Sequence, residues 1–230
     1  MTLLGNGVLA IWNGIAPAAE QDFVAWHVTE HIPERVGLPG FLRGRRYVAT
    51  SGRPKYFNFY ETDAVEALTS PAYLARLDDP TPWTRRVVAQ FQETSRTICR
   101  VEATMGCGEG GWIETIRVRS AAAKHDLPGS LDRRRLADIV ASPGIVGLHV
   151  LQGRPSQSRL GSTEKTLRNE PDRVVDWVIL VEAVEADVLA AMRASAYSVD
   201  ALLRRDAGAD VESGIYRLQF ALTKAELMTR

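Results

Sequence analysis

The chain has 230 residues, 45% of them hydrophobic, and its 28 Lys and Arg residues balance its 28 Asp and Glu residues. A partner that is held by its phosphates needs a surplus of basic side chains, so this balance argues against nucleic acid and acidic lipid as partners. The sequence also contains neither an apolar stretch of the roughly 18 residues that a membrane helix needs nor a recognisable secretory leader. Its two cysteines, Cys99 and Cys107, are too few for a framework of disulfide bonds, so we expect a cytoplasmic protein with reduced thiols.

The first half of the chain reads strand, helix, strand, strand, helix, strand. Residues 7–12 are an apolar run that suits a buried strand. A helix begins near Pro17 and is predicted to end near residue 36, with a kink or a break near His31 because Pro33 cannot donate a backbone hydrogen bond. The remaining predictions are strands over 41–49, 56–61 and 95–103, a helix over 64–77 interrupted at residues 70–71, and helical spacing over 82–91.

The same order then repeats after a glycine-rich boundary. We predict a first repeat over residues 1–105, a linker over 106–111 and a second repeat over 112–230. The second repeat is expected to hold strands over 112–118, 145–152, 174–184 and 213–223, and helices over 130–141 and 187–205. A polar stretch over 153–172 replaces a short turn of the first repeat, and its length predicts a mobile flap.

Local matches between the halves support a duplication. Residues 39–41 and 143–145 place a Pro-Gly turn before the second strand of each repeat, and Glu61 and Glu182 each end a third strand. A β-α-β-β-α-β unit is the ferredoxin-like arrangement. We therefore predict an α+β fold in which two four-stranded sheets face each other and form a barrel within one chain. Two outer strands of each sheet would remain as edges, which would allow a homodimer.

Several short segments resemble the dimeric α/β-barrel superfamily, and within it the EthD-like and related uncharacterised bacterial proteins. The resemblance covers about the first hundred residues, while the second half matches only by architecture. It implies a barrel with a pocket between helix and sheet, in a superfamily that includes cofactor-free monooxygenases, lactone isomerases, polyketide decarboxylases or cyclases, and haem enzymes. The segments that carry it are Trp26-His27, residues 30–35 (EHIPER), residues 39–41 (PGF) and Arg45-Arg46-Tyr47.

The helix of the first repeat carries the candidate chemistry. His31 lies beside the apolar stripe of this helix, so it is better placed than His27 to reach a cavity beneath it. A partly buried imidazole near Glu30 or Glu34 can act as a general acid or base near neutral pH. We expect His31, helped by His27 and Glu30, to abstract or deliver the proton. Arg35 can position an anionic or enolic oxygen. The alternative is a histidine that a carboxylate caps and that only holds the helix end.

Residues 27–31 also match the H-x-x-E-H pattern of a group of zinc proteases. Pro33 follows almost at once and no downstream glutamate helix is apparent, so we expect neither a bound metal nor a cofactor. A metal or haem role for His27 and His31 stays as a less favoured alternative.

Aromatic side chains on the first repeat are candidates for lining the pocket. Trp12 and Tyr60 each offer a polar group, and Trp83 is placed either to close the pocket mouth or only to pack against its neighbours. Together these residues predict a cofactor-free enzyme acting on an apolar, oxygen-bearing small molecule as an isomerase, a decarboxylase or dehydratase, or a monooxygenase. Arg35 or Tyr60 would then steady the oxyanion. The alternative is a non-catalytic small-molecule-binding or stress-associated protein. A His31 that points into a closed cavity near a second titratable group favours the enzyme, and one that faces solvent or is sealed in apolar core favours the binder.

Overall fold

Eight strands close into one antiparallel barrel in the computed structural model, which describes residues 3–119, 132–168, 170–195, 198, 199, 201, 203 and 210–229. Around the barrel the strands follow the order β1-β3-β2-β8-β5-β7-β6-β4. The strands are β1 (Gly7–Ile15), β2 (Phe41–Ser51), β3 (Tyr56–Thr62), β4 (Phe91–Gly106), β5 (Trp112–Arg119), β6 (Ile145–Gly153), β7 (Trp177–Ala183) and β8 (Asp210–Thr223).

The barrel consists of two ferredoxin-like sheets, β4-β1-β3-β2 and β8-β5-β7-β6, which join where β2 pairs with β8 and β4 pairs with β6. This confirms the α+β fold with two tandem repeats and an intrachain barrel. The prediction that free sheet edges remain for a homodimer was wrong. The described sheet has no free edge because β4 and β8 are long enough for each to pair with two neighbouring strands. The early part of β4 pairs with β1, and its last part, from Cys99 to Gly106, pairs with β6.

Helices cover the outer faces of the two sheets. In the first repeat, a 3-10 turn (Pro17–Ala19), α1 (Glu20–Trp26), a π-helical turn (His27–His31) and α2 (Ile32–Gly37) form one continuous helical segment, which we call the histidine helix. The other helices are a 3-10 turn (Val65–Thr69), α3 (Pro71–Asp78), α4 (Pro82–Val88), α5 (Arg133–Val140), α6 (Pro155–Ser158), α7 (Thr163–Thr166), α8 (Ala186–Ala194) and α9 (Lys224–Met228). Two of the helices expected in the second repeat lie partly outside the described residues. These are the first two residues of the helix expected over 130–141 and most of the last third of the helix expected over 187–205.

Strand alternation separates the interior of the barrel from the layers under the helices. Every strand contributes a side chain to one core cluster, among them Trp12 and Phe57, so this cluster fills the barrel. The opposite face of the first sheet, with Leu9 and Tyr60, packs against Ile32 and other residues of the histidine helix. Residues adjacent along a strand therefore lie in different layers, and this decides which of the candidate residues can meet.

Pro33 widens the histidine helix where the sequence predicts a kink. The Ile32 amide donates to the carbonyl of His27, five residues earlier, and this wider turn directly precedes the proline. The helix continues to Gly37. Each residue of this π-helical turn rotates about the helix axis by a smaller angle than a residue of an α-helix does. The side chains of His27 and His31, four residues apart, therefore lie one above the other, and both imidazoles point toward the sheet.

Candidate active site

Two stacked imidazoles lie beneath the histidine helix. His27 and His31 are only 3% and 6% exposed, and their ring centroids are 5.5 Å apart with an interplanar angle of 26°. The Trp26 ring packs on His31 at 4.3 Å, and the Phe23 ring packs on His27 at 5.4 Å. The pair is therefore buried among aromatic rings.

Burial and nearby positive charge keep both imidazoles neutral. Burial is the largest cause that lowers the pKa of His27 well below its ordinary value, followed by the guanidinium groups of Arg46 and Arg35. The pKa of His31 is lowered in the same way by burial, by Arg35, by His27 and by Arg168. At neutral pH each ring thus has a nitrogen lone pair that can accept a proton.

Several buried polar atoms around these rings have no hydrogen-bond partner in the structure. They are Nδ1 of His27, Nδ1 of His31, the Tyr60 hydroxyl, and both Nη atoms of Arg46. The Tyr60 ring meets His31 edge-on at 6.3 Å, and the Arg46 guanidinium lies between the rings of Phe23 and Tyr56. An unpaired buried polar group destabilises the fold by about 1–3 kcal/mol. Such atoms cluster where a polar ligand can pair them.

The sequence suggested that Arg35 positions a substrate oxygen, but in the structure two carboxylates bind its guanidinium. It is buried, donates to Glu34 at 3.2 Å and forms a second hydrogen-bonded ion pair with Glu164. These acceptors are ionic partners, which bind a guanidinium more strongly than a neutral oxygen does. Arg35 therefore acts on the imidazoles through its charge and binds Glu164 of the second repeat.

The polar stretch over 153–172 covers the site of the other repeat and is anchored at several points. It contains α6 and α7, and the Ile98 amide donates to the Ser158 hydroxyl at 2.9 Å. Near its middle the Thr163 amide donates to Asp78 of α3 at 2.9 Å, and Glu164 forms its ion pair with Arg35. In place of an unattached flap, the structure shows a strap from the second repeat across the first.

Glu30 does not hold an imidazole, contrary to expectation. Its carboxylate accepts hydrogen bonds from the hydroxyls of Thr81 at 2.6 Å and Thr84 at 3.3 Å, at the start of α4. The widened turn that aligns the two histidines leaves Glu30 facing α4. Its contacts therefore tie the histidine helix to α4.

The three predicted aromatic residues lie in three different places. Tyr60 is in the site. Trp12 points into the barrel, where its Nε1 donates to Thr115 at 3.1 Å, because it lies on the opposite face of the sheet from Tyr60. The prediction that Trp12 lines the same site as His31 was therefore wrong. Trp83 is half-buried at the margin of the aromatic cluster, and its Nε1 donates to Asp22 of α1 at 2.9 Å.

Among the residues of the second repeat that the structure describes, none form an equivalent of this site. Matching the repeats by strand register places Val150 at the position of Arg46 and Val181 at that of Tyr60. Both valines belong to an apolar cluster. His149 is buried and bonds to Thr104 at 2.8 Å and to Glu182 at 3.3 Å, in keeping with a structural role.

Two site residues were not identified from the sequence. Arg46 belongs to the Arg45-Arg46-Tyr47 segment that carries the family resemblance. Strand alternation alone would have placed its side chain on the helix-covered face of the sheet, opposite to those of Arg45 and Tyr47. Glu164 carried no such signal, since it lies 129 residues from Arg35 in the other repeat.

Comparison with solved structures identifies the fold. An anthrone oxidase-like protein matches with a TM-score of 0.64 and 13% identity, over 96% of this chain and 94% of that chain. The chain has the fold of the dimeric α/β barrels. A candidate monooxygenase from Fusobacterium nucleatum matches with a TM-score of 0.57 and 10% identity, over 96% of each chain. A candidate monooxygenase from Lactobacillus acidophilus matches with a TM-score of 0.53 and 8% identity, over 95% of this chain and 99% of that chain.

The sequence itself matches no family model and no curated protein. Within the described part of this dimeric α/β barrel, no three His, Cys, Asp or Glu side chains come close enough to hold a metal ion. No helix among the described residues is long and apolar enough to cross a membrane.

Proposed function

We propose that this barrel is a small-molecule enzyme that needs no organic cofactor and removes a proton from a phenolic or enolic aromatic substrate. The observation that carries the proposal is the cluster of unpartnered buried atoms on His27, His31, Tyr60 and Arg46. These groups include a neutral base, a hydroxyl donor and a cation, which are what proton abstraction from an acidic substrate needs.

Each residue of the cluster has a distinct proposed role. His31 accepts the proton at Nδ1, and His27 supports the same surface beside it. The unpaired Nη atoms of Arg46 and the Tyr60 hydroxyl bind the oxygen on which negative charge develops. The lowered pKa of His31 keeps it unprotonated before substrate arrives. The oxyanion that forms beside it then raises that pKa as the proton is transferred.

Proton abstraction is common to isomerisation, decarboxylation or dehydration, and oxygenation, and the structural relatives favour oxygenation. One relative is described as anthrone oxidase-like, and two others are candidate monooxygenases. For an anthrone, the CH₂ carbon would lose a proton to His31, the resulting anion would add O₂ to give a peroxide anion, and His31 would return its proton to form the hydroperoxide. Loss of water then leaves a C=O group, so one oxygen atom enters the product and the other leaves as water.

Oxygen uptake tests this proposal. Purified protein is mixed with anthrone in a chelator-treated buffer, and O₂ consumption is measured together with ¹⁸O incorporation from ¹⁸O₂. We expect one O₂ per anthrone and one labelled oxygen in anthraquinone. His31→Phe should lower the rate by about 10²–10⁴-fold, the usual contribution of a general base. Thr29→Ala, on the exposed side of the same helix, should leave the rate unchanged.

Two results would reject the enzymatic proposal. Turnover that does not depend on His31 would exclude the base. Saturable binding of anthrone without turnover would instead support the alternative, a non-catalytic small-molecule-binding protein.

A further inference from the structure

A second buried polar site lies at one mouth of the barrel, away from both histidines. It forms where β5 ends and β8 begins, and Arg117 lies at its base. Arg117 is only 4% exposed, and its guanidinium lies over the Trp12 ring at 5.0 Å. Its Nη2 contacts Glu212 at 2.7 Å and donates to the Arg53 carbonyl at 2.8 Å.

Two buried atoms at this mouth have no hydrogen-bond partner. They are Nε of Arg117 and the hydroxyl oxygen of Ser95, a residue that is 1% exposed. Ser95 pairs with Trp12 across β1 and β4, so both side chains face the interior of the barrel. Both residues line one narrow pocket of about 10 Å³, which has room for about one water-sized group. A donor and a hydroxyl there can both bind the same oxygen atom.

A wider cleft of about 360 Å³ adjoins the narrow pocket, since Arg173 and Glu212 line both. Barrel mouths are among the usual places for small ligands, and this volume lies within the usual range for their pockets. The cleft therefore has room for the body of a ligand whose polar end enters the narrow pocket.

Positive charge predominates around the mouth. Its lining contains five arginines, at positions 53, 117, 119, 173 and 193, and two glutamates, at positions 93 and 212. Counting also Asp210 and Glu114, which pair with two of these arginines, the positive charges still exceed the negative ones by one. Burial lowers the pKa of Arg117, Glu212 raises it, and the positive charges of Arg173 and Arg119 lower it further. A bound anion would offset the repulsion between these guanidinium groups.

We propose that this mouth binds an organic carboxylate. One carboxylate oxygen occupies the narrow pocket between Ser95 Oγ and Arg117 Nε, and the rest of the ligand lies in the cleft. The narrow pocket has room for one oxygen and no more of the ligand, and a planar carboxylate brings fewer atoms to its opening than a tetrahedral phosphate does. The site involves neither imidazole, so it stands independently of the proposed reaction.

Arginine side-chain NMR tests the proposal on the intact protein. The ¹⁵Nε–Hε signal of Arg117, assigned by its loss in Arg117→Met, is followed during titration with sodium acetate and sodium benzoate at constant ionic strength. We expect a saturable shift of this signal. Ser95→Ala, a minimal change that keeps the fold, should weaken binding by about ten-fold or more, because it removes a hydrogen bond to a charged group. Arg100→Gln, on exposed β4 surface, should bind normally.

Three outcomes would overturn the proposal. Sodium chloride that produces the same shift would show simple screening. A signal that stays constant at high carboxylate concentration would show that only water fills the pocket. Inorganic phosphate that binds more tightly than acetate would exclude a carboxylate-specific site.

Discussion

The ion pair between Arg35 and Glu164 offers a quantitative test of the strap. Both side chains are almost fully buried, at 2% and 6% exposed. Glu164→Gln keeps the shape of the residue but leaves Arg35 with Glu34 alone, which is 20% exposed. Removal of one partner from a buried pair destabilises a protein by about 3–5 kcal/mol. Because Glu34 remains, we expect about 3 kcal/mol, at the lower end of that range.

Urea and thermal unfolding measure this effect. For a chain of this size we expect a fall in Tm of roughly 6–12 °C, at about 2–4 °C per kcal/mol. Glu34→Gln is the matched control and should have a much smaller effect, since that carboxylate is more exposed. Cleavage by a protease within the strap should also become faster in Glu164→Gln. A variant as stable as the wild type, within about 0.5 kcal/mol, would refute the argument that this pair fastens the strap.

Two further predictions concern the histidine helix. Because the pKa of His27 and of His31 is lowered below 6.5, the unfolded chain binds more protons than the folded one below that pH. The free energy of unfolding should therefore fall as pH drops from 6.5 toward the folded pKa values, by up to about 1.4 kcal/mol per pH unit for each histidine. Urea titrations of the double variant to Phe should show this slope lost, whereas an unchanged slope would place the titration elsewhere. Gly44→Ala should destabilise by about 1–3 kcal/mol, because its Cβ would approach Ile32 to 2.9 Å, while Gly111→Ala meets no atom within 4 Å and should be neutral in the same unfolding assay.

The order of strands and helices could be predicted because apolar periodicity and the Pro-Gly turns are local signals. The pairing of β2 with β8 and of β4 with β6, which joins the two sheets, could not be predicted, because hydrophobic patterns do not identify the partner of a strand. The β4 strand illustrates this. It continues to Gly106, beyond the predicted end at residue 103, and that added length pairs with the second repeat. Its polar first residues and glycine-rich end concealed this length.

The candidate site was predictable only as far as a single helix extends. The inward position of His31 follows from the spacing of apolar residues, and its burial agrees with that spacing. Alternation along β1 placed Trp12 on one of two faces without showing which face meets the helix. Glu30 was misplaced because a regular α-helix was assumed where the structure has a π-helical turn. Glu164 depends on a contact between repeats, which no local pattern contains.

The pKa of His31, measured with and without a phenolic ligand, tests the proposed chemistry most directly. With ¹⁵N-labelled histidine, the ring nitrogen signals of His31 are followed against pH in the free protein and in the presence of 4-nitrophenol. We expect a neutral ring at pH 7 with a pKa below 6.5 in the free protein, and a higher pKa once the phenolic oxygen is bound. A ring that is already charged at pH 7, or a pKa that the saturating ligand leaves unchanged, would contradict it.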